Sequence, residues 1–257
     1  MESLAGKVFT VSGGGSGMGL ATCRLLAQSG ARAISIGDFQ EANFETIKKE
    51  LQAINASTKI QTVKVDVASS SSVASWMQEV ISAFGALDGC VNAAGVAQPV
   101  GVRKAPALLE ETDETWRRTM GINLDGVFFC TREQVRAMVA LPKAPRSIVN
   151  IASIAALIHA ADTYAYSTSK NAVVHLSQAM SKDGLPFGIR INALSPGATA
   201  TPMLAQFFVP SDESAPVDTQ GWALVQPEDI AKAAGWLLCD HSIQVSGINM
   251  VVGPGAP

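Results

Sequence analysis

Residues 8–20 read Val8-Phe9-Thr10-Val11-Ser12-Gly13-Gly14-Gly15-Ser16-Gly17-Met18-Gly19-Leu20, a short apolar strand running into a glycine-rich turn, with a helix opening at Leu20. The strand–turn–helix context matters more than the glycines themselves. Backbone N–H groups and the dipole at a helix N-terminus attract a pyrophosphate, and missing Cβ atoms let the backbone approach it. Ser12, Gly13, Gly17, Met18 and Gly19 are therefore candidate cofactor contacts. Glycines alone would equally suit a tight turn that holds nothing.

Asp38 sharpens the reading. It closes the next apolar run, Ile36-Gly37-Asp38, nineteen residues beyond Gly19, where an acidic residue meets the adenosine ribose of a dinucleotide. A carboxylate there accepts from both ribose hydroxyls and repels a 2′-phosphate. Its neighbours Phe39, Gln40 and Glu41 supply no arginine to offset that repulsion. The expected cofactor is NAD (NADH), not NADP.

Outward from this unit, short β-branched runs recur at Ala33 to Ile36, Ile60 to Val65, Leu87 to Val91, Ser147 to Ile151, Arg190 to Leu194 and Ile248 to Val252, making seven strands with Val8 to Val11. Segments of helical spacing separate them, for example Val73, Met77, Val80, Ile81 and Phe84. Alternation of this kind predicts an α/β fold: a single doubly wound, parallel, seven-stranded Rossmann-type sheet with helices on both faces. Residues 1–257 read as one domain. The stretch Thr199 to Gln226, with its prolines, acids and isolated large apolar residues, reads as a substrate lid.

Composition excludes several classes. Nineteen basic and 22 acidic residues leave a net charge of −3, with no basic block, so nucleic acid is not an expected partner. Charged residues are only 16% against 47% hydrophobic, which favours a large core and an apolar oligomer interface. The N-terminal residues lack a signal-peptide apolar run, and no stretch is apolar enough to span a membrane. Cys23, Cys90, Cys130 and Cys239 are widely spaced, with neither a CxxC pair nor a histidine cluster, so they read as reduced thiols in a cytoplasmic protein without a metal site. Asn55-Ala56-Ser57 fits a glycosylation sequon but reads as a plain loop.

The chain has two tyrosines, Tyr164 and Tyr166, at the start of a helical segment reaching Lys182. At about 100° per residue Tyr166 and Lys170 share a face, whereas Tyr164 is roughly 240° away from Lys170. An ammonium beside a phenol favours the phenolate, giving an acid/base suited to an alcohol–ketone couple. Ser153 follows a strand and so lies at the ligand-binding edge of the sheet, as does Asn92-Ala93-Ala94-Gly95. Asn123 falls inside a predicted helix, where its amide needs a partner.

Together, Ser12-Gly13-x-x-x-Gly17-x-Gly19, Asp66, Asn92-Ala93-Ala94-Gly95, Asn123, Ser153, Tyr166-x-x-x-Lys170 and Pro196-Gly197 resemble the short-chain dehydrogenase/reductase family over essentially the whole chain. The resemblance implies that Ser153 orients the substrate oxygen, Tyr166 is the acid/base, Lys170 lowers the tyrosine pKa and bonds the nicotinamide ribose, and Asn123 holds a relay water. It further implies that Asp38 binds the adenosine ribose, Asp66 with Val67 meets the adenine, Asn92, Ala93 and Gly95 lie along the cofactor, and Thr199, after Pro196 and Gly197, bonds the carboxamide. Members commonly form homodimers or homotetramers, here through the helices of Asp113 to Ala140 and Tyr166 to Lys182. Two departures stand out: Ser12 replaces a threonine, and Val252-Gly253-Pro254-Gly255 replaces an aspartate and two glycines.

The expected pocket walls, Ile154, Ala155, Leu157, Ile158, Val96, Val100, Met203, Leu204, Phe207, Phe208 and Trp222, are apolar, so the expected substrate is a lipophilic secondary alcohol or its ketone. His159 reads as a rim or surface residue. Three readings stay open at this point: an NAD-dependent dehydrogenase, a biosynthetic ketoreductase using NAD(P)H in reverse, and a non-catalytic cofactor-binding regulator.

Overall fold

All seven anticipated strands form one parallel sheet in the order β3-β2-β1-β4-β5-β6-β7. They are β1 (Val8–Ser12), β2 (Ala33–Asp38), β3 (Lys59–Lys64), β4 (Gly89–Asn92), β5 (Arg146–Ile151), β6 (Ile189–Pro196) and β7 (Asn249–Val252). The computed structural model describes residues 2–98, 103–159, 161–207 and 223–253. Central strands β1, β4, β5 and β6 are buried at every position, their polar members such as Asn92, Asn150 and Asn192 included. Edge strand β3 instead carries exposed lysines at both ends.

The helices are α1 (Gly17–Gln28), α2 (Phe44–Ile54), α3 (Ser70–Phe84), α4 (Asp113–Met120), α5 (Gly126–Ala140), α6 (Tyr164–Gly184), the single turn α7 (Leu204–Phe207) and α8 (Pro227–Leu238). One apolar cluster joins α1, α2 and α8 to the sheet; a second, on the other face, joins α3 and α5 through Trp76, Met77, Val80, Cys130 and Met138. The two faces are thus covered as a doubly wound sheet requires. The predicted helix of Tyr166 to Lys182 extends by two residues at each end.

The predicted helix around Asn123 is interrupted. Residues Gly121–Asp125 form a π-helical turn between α4 and α5, a widening that local periodicity does not reveal. Asn55 closes α2 and donates through its side-chain nitrogen to the Ala27 carbonyl at 3.1 Å, so its amide belongs to the fold. All four cysteines are buried and unpaired, and burial pushes the Cys130 thiol up to about 12. No described helix is long and apolar enough to cross a membrane.

Strand register aligns Ser12 with Asn92 and Asn92 with Asn150, so the C-terminal ends of β1, β4 and β5 share one edge. The glycine turn, the Ala93–Gly95 loop and Ser153 all leave from that edge.

Candidate active site

Two concavities meet there. The first is a groove of about 630 Å³ whose lining includes Gly13, Gly17, Met18, Gly19, Asp38, Asp66, Val67, Ala93 and Gly95. Backbone geometry explains the glycines. Gly13 has φ +66°, and a Cβ on it would lie 2.6 Å from the Ala94 nitrogen; one on Gly19 would lie 2.2 Å from the Gly13 oxygen. The turn therefore closes too tightly on itself and on the loop after β4 to accept side chains at these positions. Asp38, half-buried, accepts from Gly15 N–H at 2.8 Å and from Gln40 N–H at 2.9 Å, which seats the carboxylate directly on the glycine turn. Asp66 is exposed at the groove and accepts from Ala68 N–H at 3.0 Å. A glycine cradle for a pyrophosphate with a carboxylate at each side of the adenosine end fits a dinucleotide.

Two predicted cofactor contacts turn inward instead. Ser12 is buried, its hydroxyl accepting from Ala94 N–H at 3.4 Å, so it ties β1 to the loop after β4. The Asn92 side chain donates to Asn150 Oδ1 at 2.8 Å and exchanges hydrogen bonds of 3.0 and 2.8 Å with Gln134. Asn150 in turn donates to Ser177 at 3.0 Å, so this buried amide network joins β4 and β5 to α5 and α6. A fully partnered network of this kind fixes the sheet edge.

The second concavity is a cavity of about 310 Å³ lined by Met18, Ala152, Ser153, Ile154, Ala155, Ile158, Tyr166, Pro196, Gly197, Thr199, Met203, Leu204 and Phe207 among others, and none of its described lining residues carries a charge. Of the expected walls, Leu157 is turned outward and Val96 lines the groove. Val100, Phe208, Trp222 and most of the expected lid lie outside the described residues, as do Pro254 and Gly255. His159 is exposed and lines neither space. Thr199 donates through its hydroxyl to Gly197 O at 2.8 Å.

Ser153, Tyr166, Lys170 and Asn123 converge where the two spaces adjoin. Ser153 caps a short 3-10 turn, accepting from Ala155 N–H at 3.2 Å, and shares the cavity wall with the Tyr166 phenol. Burial pushes that phenol above its ordinary value, and the Ser153 hydroxyl pulls it partly back. Lys170 is buried, donates to the Ile151 carbonyl at 3.0 Å, and holds its nitrogen 5.8 Å from the Tyr166 ring centre. Burial lowers its ammonium to about 8. Asn123 grips Val96 through both backbone groups, accepting from its N–H at 2.8 Å and donating to its carbonyl at 3.0 Å. The amide that needed a partner thus clamps the loop beside Gly95. Phe207 packs edge-on against Tyr166 with ring centres 4.9 Å apart.

A short-chain dehydrogenase family model matches residues 7–210. The chain belongs to the short-chain dehydrogenase family. Curated relatives include chanoclavine-I dehydrogenases of Aspergillus fumigatus (46% identical) and Penicillium roqueforti (44%), each alignment covering all of both chains. Among solved structures, levodione reductase superposes with a TM-score of 0.87 at 25% identity over 98% of this chain and 97% of that one. A 3-ketoacyl-(acyl-carrier-protein) reductase from Brucella melitensis complexed with NADH gives 0.84 at 27% identity over 99% of each. As a family member this chain is an oxidoreductase acting on CH–OH groups, and the non-catalytic reading falls away.

Several residues near the site escaped the sequence reading. Thr163 and Ser167 line the cavity, with hydroxyls 2.7 Å apart. Arg117 and Arg118 border the groove. Gln98, Arg103, Glu111 and Asp162 form a polar chain beside α6. No local motif signals the contacts of Gln98 with Tyr166 or of Arg103 with Asp162, whose partners lie 68 and 59 residues apart.

Proposed function

We propose that this short-chain dehydrogenase uses NAD to interconvert a lipophilic alcohol and its carbonyl compound, an aldehyde or a ketone, in secondary metabolism. The observation that carries the reading is the Tyr166 phenol and the Ser153 hydroxyl together on the wall of a cavity whose described lining is uncharged. When bound, NAD supplies the hydride acceptor. Ser153 holds the substrate oxygen, and Tyr166 removes the hydroxyl proton as the carbonyl forms, or returns it in the reverse direction. Lys170, anchored on Ile151 O, offers its remaining N–H donors towards the nicotinamide ribose and its charge towards the phenolate. Asp38 receives the adenosine ribose hydroxyls, Asp66 and Val67 the adenine, and Thr199 the carboxamide. Asn123 positions the Val96 backbone and a relay water.

The curated relatives' name makes chanoclavine-I the first alcohol to offer, beside cyclic secondary alcohols. Mixing protein, NAD and each alcohol and following reduced-nicotinamide absorbance tests the reading. Turnover of lipophilic alcohols that disappears in Tyr166→Phe is the expected result; faster turnover of polyols contradicts it. The protein is further read as one cytoplasmic domain with a lid at 199–226, assembled as a homodimer or homotetramer. Exposed Trp116, Phe128 and Val139 on α4 and α5 support that assembly, and a monomer by light scattering would overturn it.

A further inference from the structure

A buried polar chain outside the catalytic residues ends on the backbone of Tyr166. Gln98 is fully buried. Its Oε1 accepts from Tyr166 N–H at 2.9 Å, and its Nε2 donates to Glu111 Oε2 at 2.6 Å. Glu111 pairs with Arg103 at 3.1 Å, and Arg103 pairs with Asp162 at 2.5 Å and also donates to the Asp162 carbonyl at 3.2 Å. The three charged side chains are at most 13% exposed.

Tyr166 is the third residue of α6, and the first N–H groups of a helix have no partner within it. The N-cap residue, Thr163, makes no side-chain capping bond. Gln98 therefore satisfies, from 68 residues away, the amide that belongs to the acid/base residue itself. Two residues earlier, Asn123 holds both backbone groups of Val96 at the cofactor groove. The short run from Gly95 to Gln98 is thus fastened at one end to the groove and at the other to the first turn of α6. Beyond Glu111, Arg103 holds Asp162, a non-glycine residue at φ +66° that leads into the cavity wall at Thr163.

We propose that Gln98, backed by Glu111, Arg103 and Asp162, is a positioning residue that fixes the first turn of α6 so that the Tyr166 hydroxyl stays beside Ser153 on the cavity wall when the groove is filled. The proposal rests on the catalytic reading above and adds a residue that touches neither substrate nor cofactor. A glutamine is the side chain that works here, because it accepts from the helix amide and donates to a carboxylate at once. Leucine at 98 would leave the Tyr166 N–H and Glu111 short of a partner in a buried site. Glutamate at 98 would set two carboxylates face to face.

The test compares Gln98→Leu, Gln98→Glu and the swap Gln98→Glu with Glu111→Gln, in which the amide and carboxylate trade places and the bond is remade in the opposite sense. Three readouts are taken: kcat and KM against pH, NADH affinity by fluorescence, and tyrosinate absorbance against pH in a Tyr164→Phe background, where Tyr166 is the sole tyrosine. Misplacing a reacting group costs about tenfold or more in rate. The expected result is a kcat loss of about that size in Gln98→Leu, NADH affinity unchanged within about twofold, and a tyrosinate transition displaced to higher pH as the phenol moves away from Ser153. The swap recovers kcat and the transition, whereas Gln98→Glu alone does not, which keeps the test decisive should the leucine variant fail to fold. Unchanged kcat and transition in Gln98→Leu and Gln98→Glu, or a loss that the swap leaves in place, would overturn the proposal. If the parent protein turns over no alcohol yet its tyrosinate transition still moves in Gln98→Leu and returns in the swap, the catalytic reading fails and the positioning role stands.

Discussion

Tyr166 and Lys170 stand one helical turn apart, with the lysine nitrogen 5.8 Å from the phenol ring centre, and burial moves their protonation in opposite directions. The phenol is pushed up and the ammonium down to about 8. In the protein alone the lysine gives up its proton before the tyrosine does. Near neutral pH the Lys170 ammonium is still charged and the phenol is nonetheless held above its ordinary range, so phenolate formation there calls for further positive charge beside Tyr166.

A spectroscopic prediction follows from this order. In Tyr164→Phe, absorbance near the tyrosinate band should appear only above the ordinary tyrosine range. Adding NAD, whose pyridinium is cationic, should draw it to lower pH, and NADH should do so less. Identical transitions with both forms would contradict the charge argument.

The buried ammonium also has a cost in stability. Between its folded value of about 8 and its ordinary 10.5, the unfolded chain binds more protons, so stability rises with pH across that window. Below pH 8 the full penalty applies, about 3 kcal/mol, and losing the Lys170 bond to Ile151 offsets about 1 kcal/mol of any gain. Lys170→Met should therefore be inactive yet more stable at pH 7 by about 2 kcal/mol, with the gap closing towards pH 10.5. Thermal melts at several pH values check this; a less stable Lys170→Met at pH 7 would refute it.

Asp38 should govern cofactor choice. Its carboxylate sits on the Gly15 amide, close to where a 2′-phosphate would have to lie. Asp38→Ser with Phe39→Arg should move the NADH-to-NADPH affinity ratio towards NADPH by about tenfold or more, since one charge contact is worth at least about 1.4 kcal/mol. Fluorescence titration of both reduced cofactors measures it, and an unaltered ratio would remove Asp38 from the specificity argument.

The strands and the grouping of Ser153, Tyr166 and Lys170 were legible in the sequence because their signals are local. Runs such as Ile148-Val149-Asn150-Ile151 mark buried strands, the glycine turn directly follows one, and Tyr166 and Lys170 are four residues apart on one helix. What escaped notice depends on distant partners. Asn123 looked like an awkward helical amide until Val96, 27 residues earlier, supplied both of its hydrogen bonds. Asn92 looked like a cofactor contact because its motif lies at the right edge, yet Asn150 and Gln134 draw its side chain into the interior. The Gln98 contact spans 68 residues and carries no periodic signature.

Phe207 should set substrate affinity more than cofactor affinity. Its ring meets Tyr166 edge-on at 4.9 Å on the cavity wall, a contact worth about 0.5–1.5 kcal/mol beyond area burial. Phe207→Ala should raise KM for lipophilic alcohols several-fold while leaving NADH binding unchanged. A matching loss of NADH affinity would place α7 in the cofactor site instead.

The central claim, that Tyr166 performs acid/base chemistry on a lipophilic alcohol with NAD as acceptor, is tested most directly by NADH formation from chanoclavine-I and a panel of cyclic secondary alcohols, comparing the parent with Tyr166→Phe. The account predicts NAD-dependent turnover in the parent and loss of at least about a hundredfold in the variant. Equal turnover in the two proteins would contradict it.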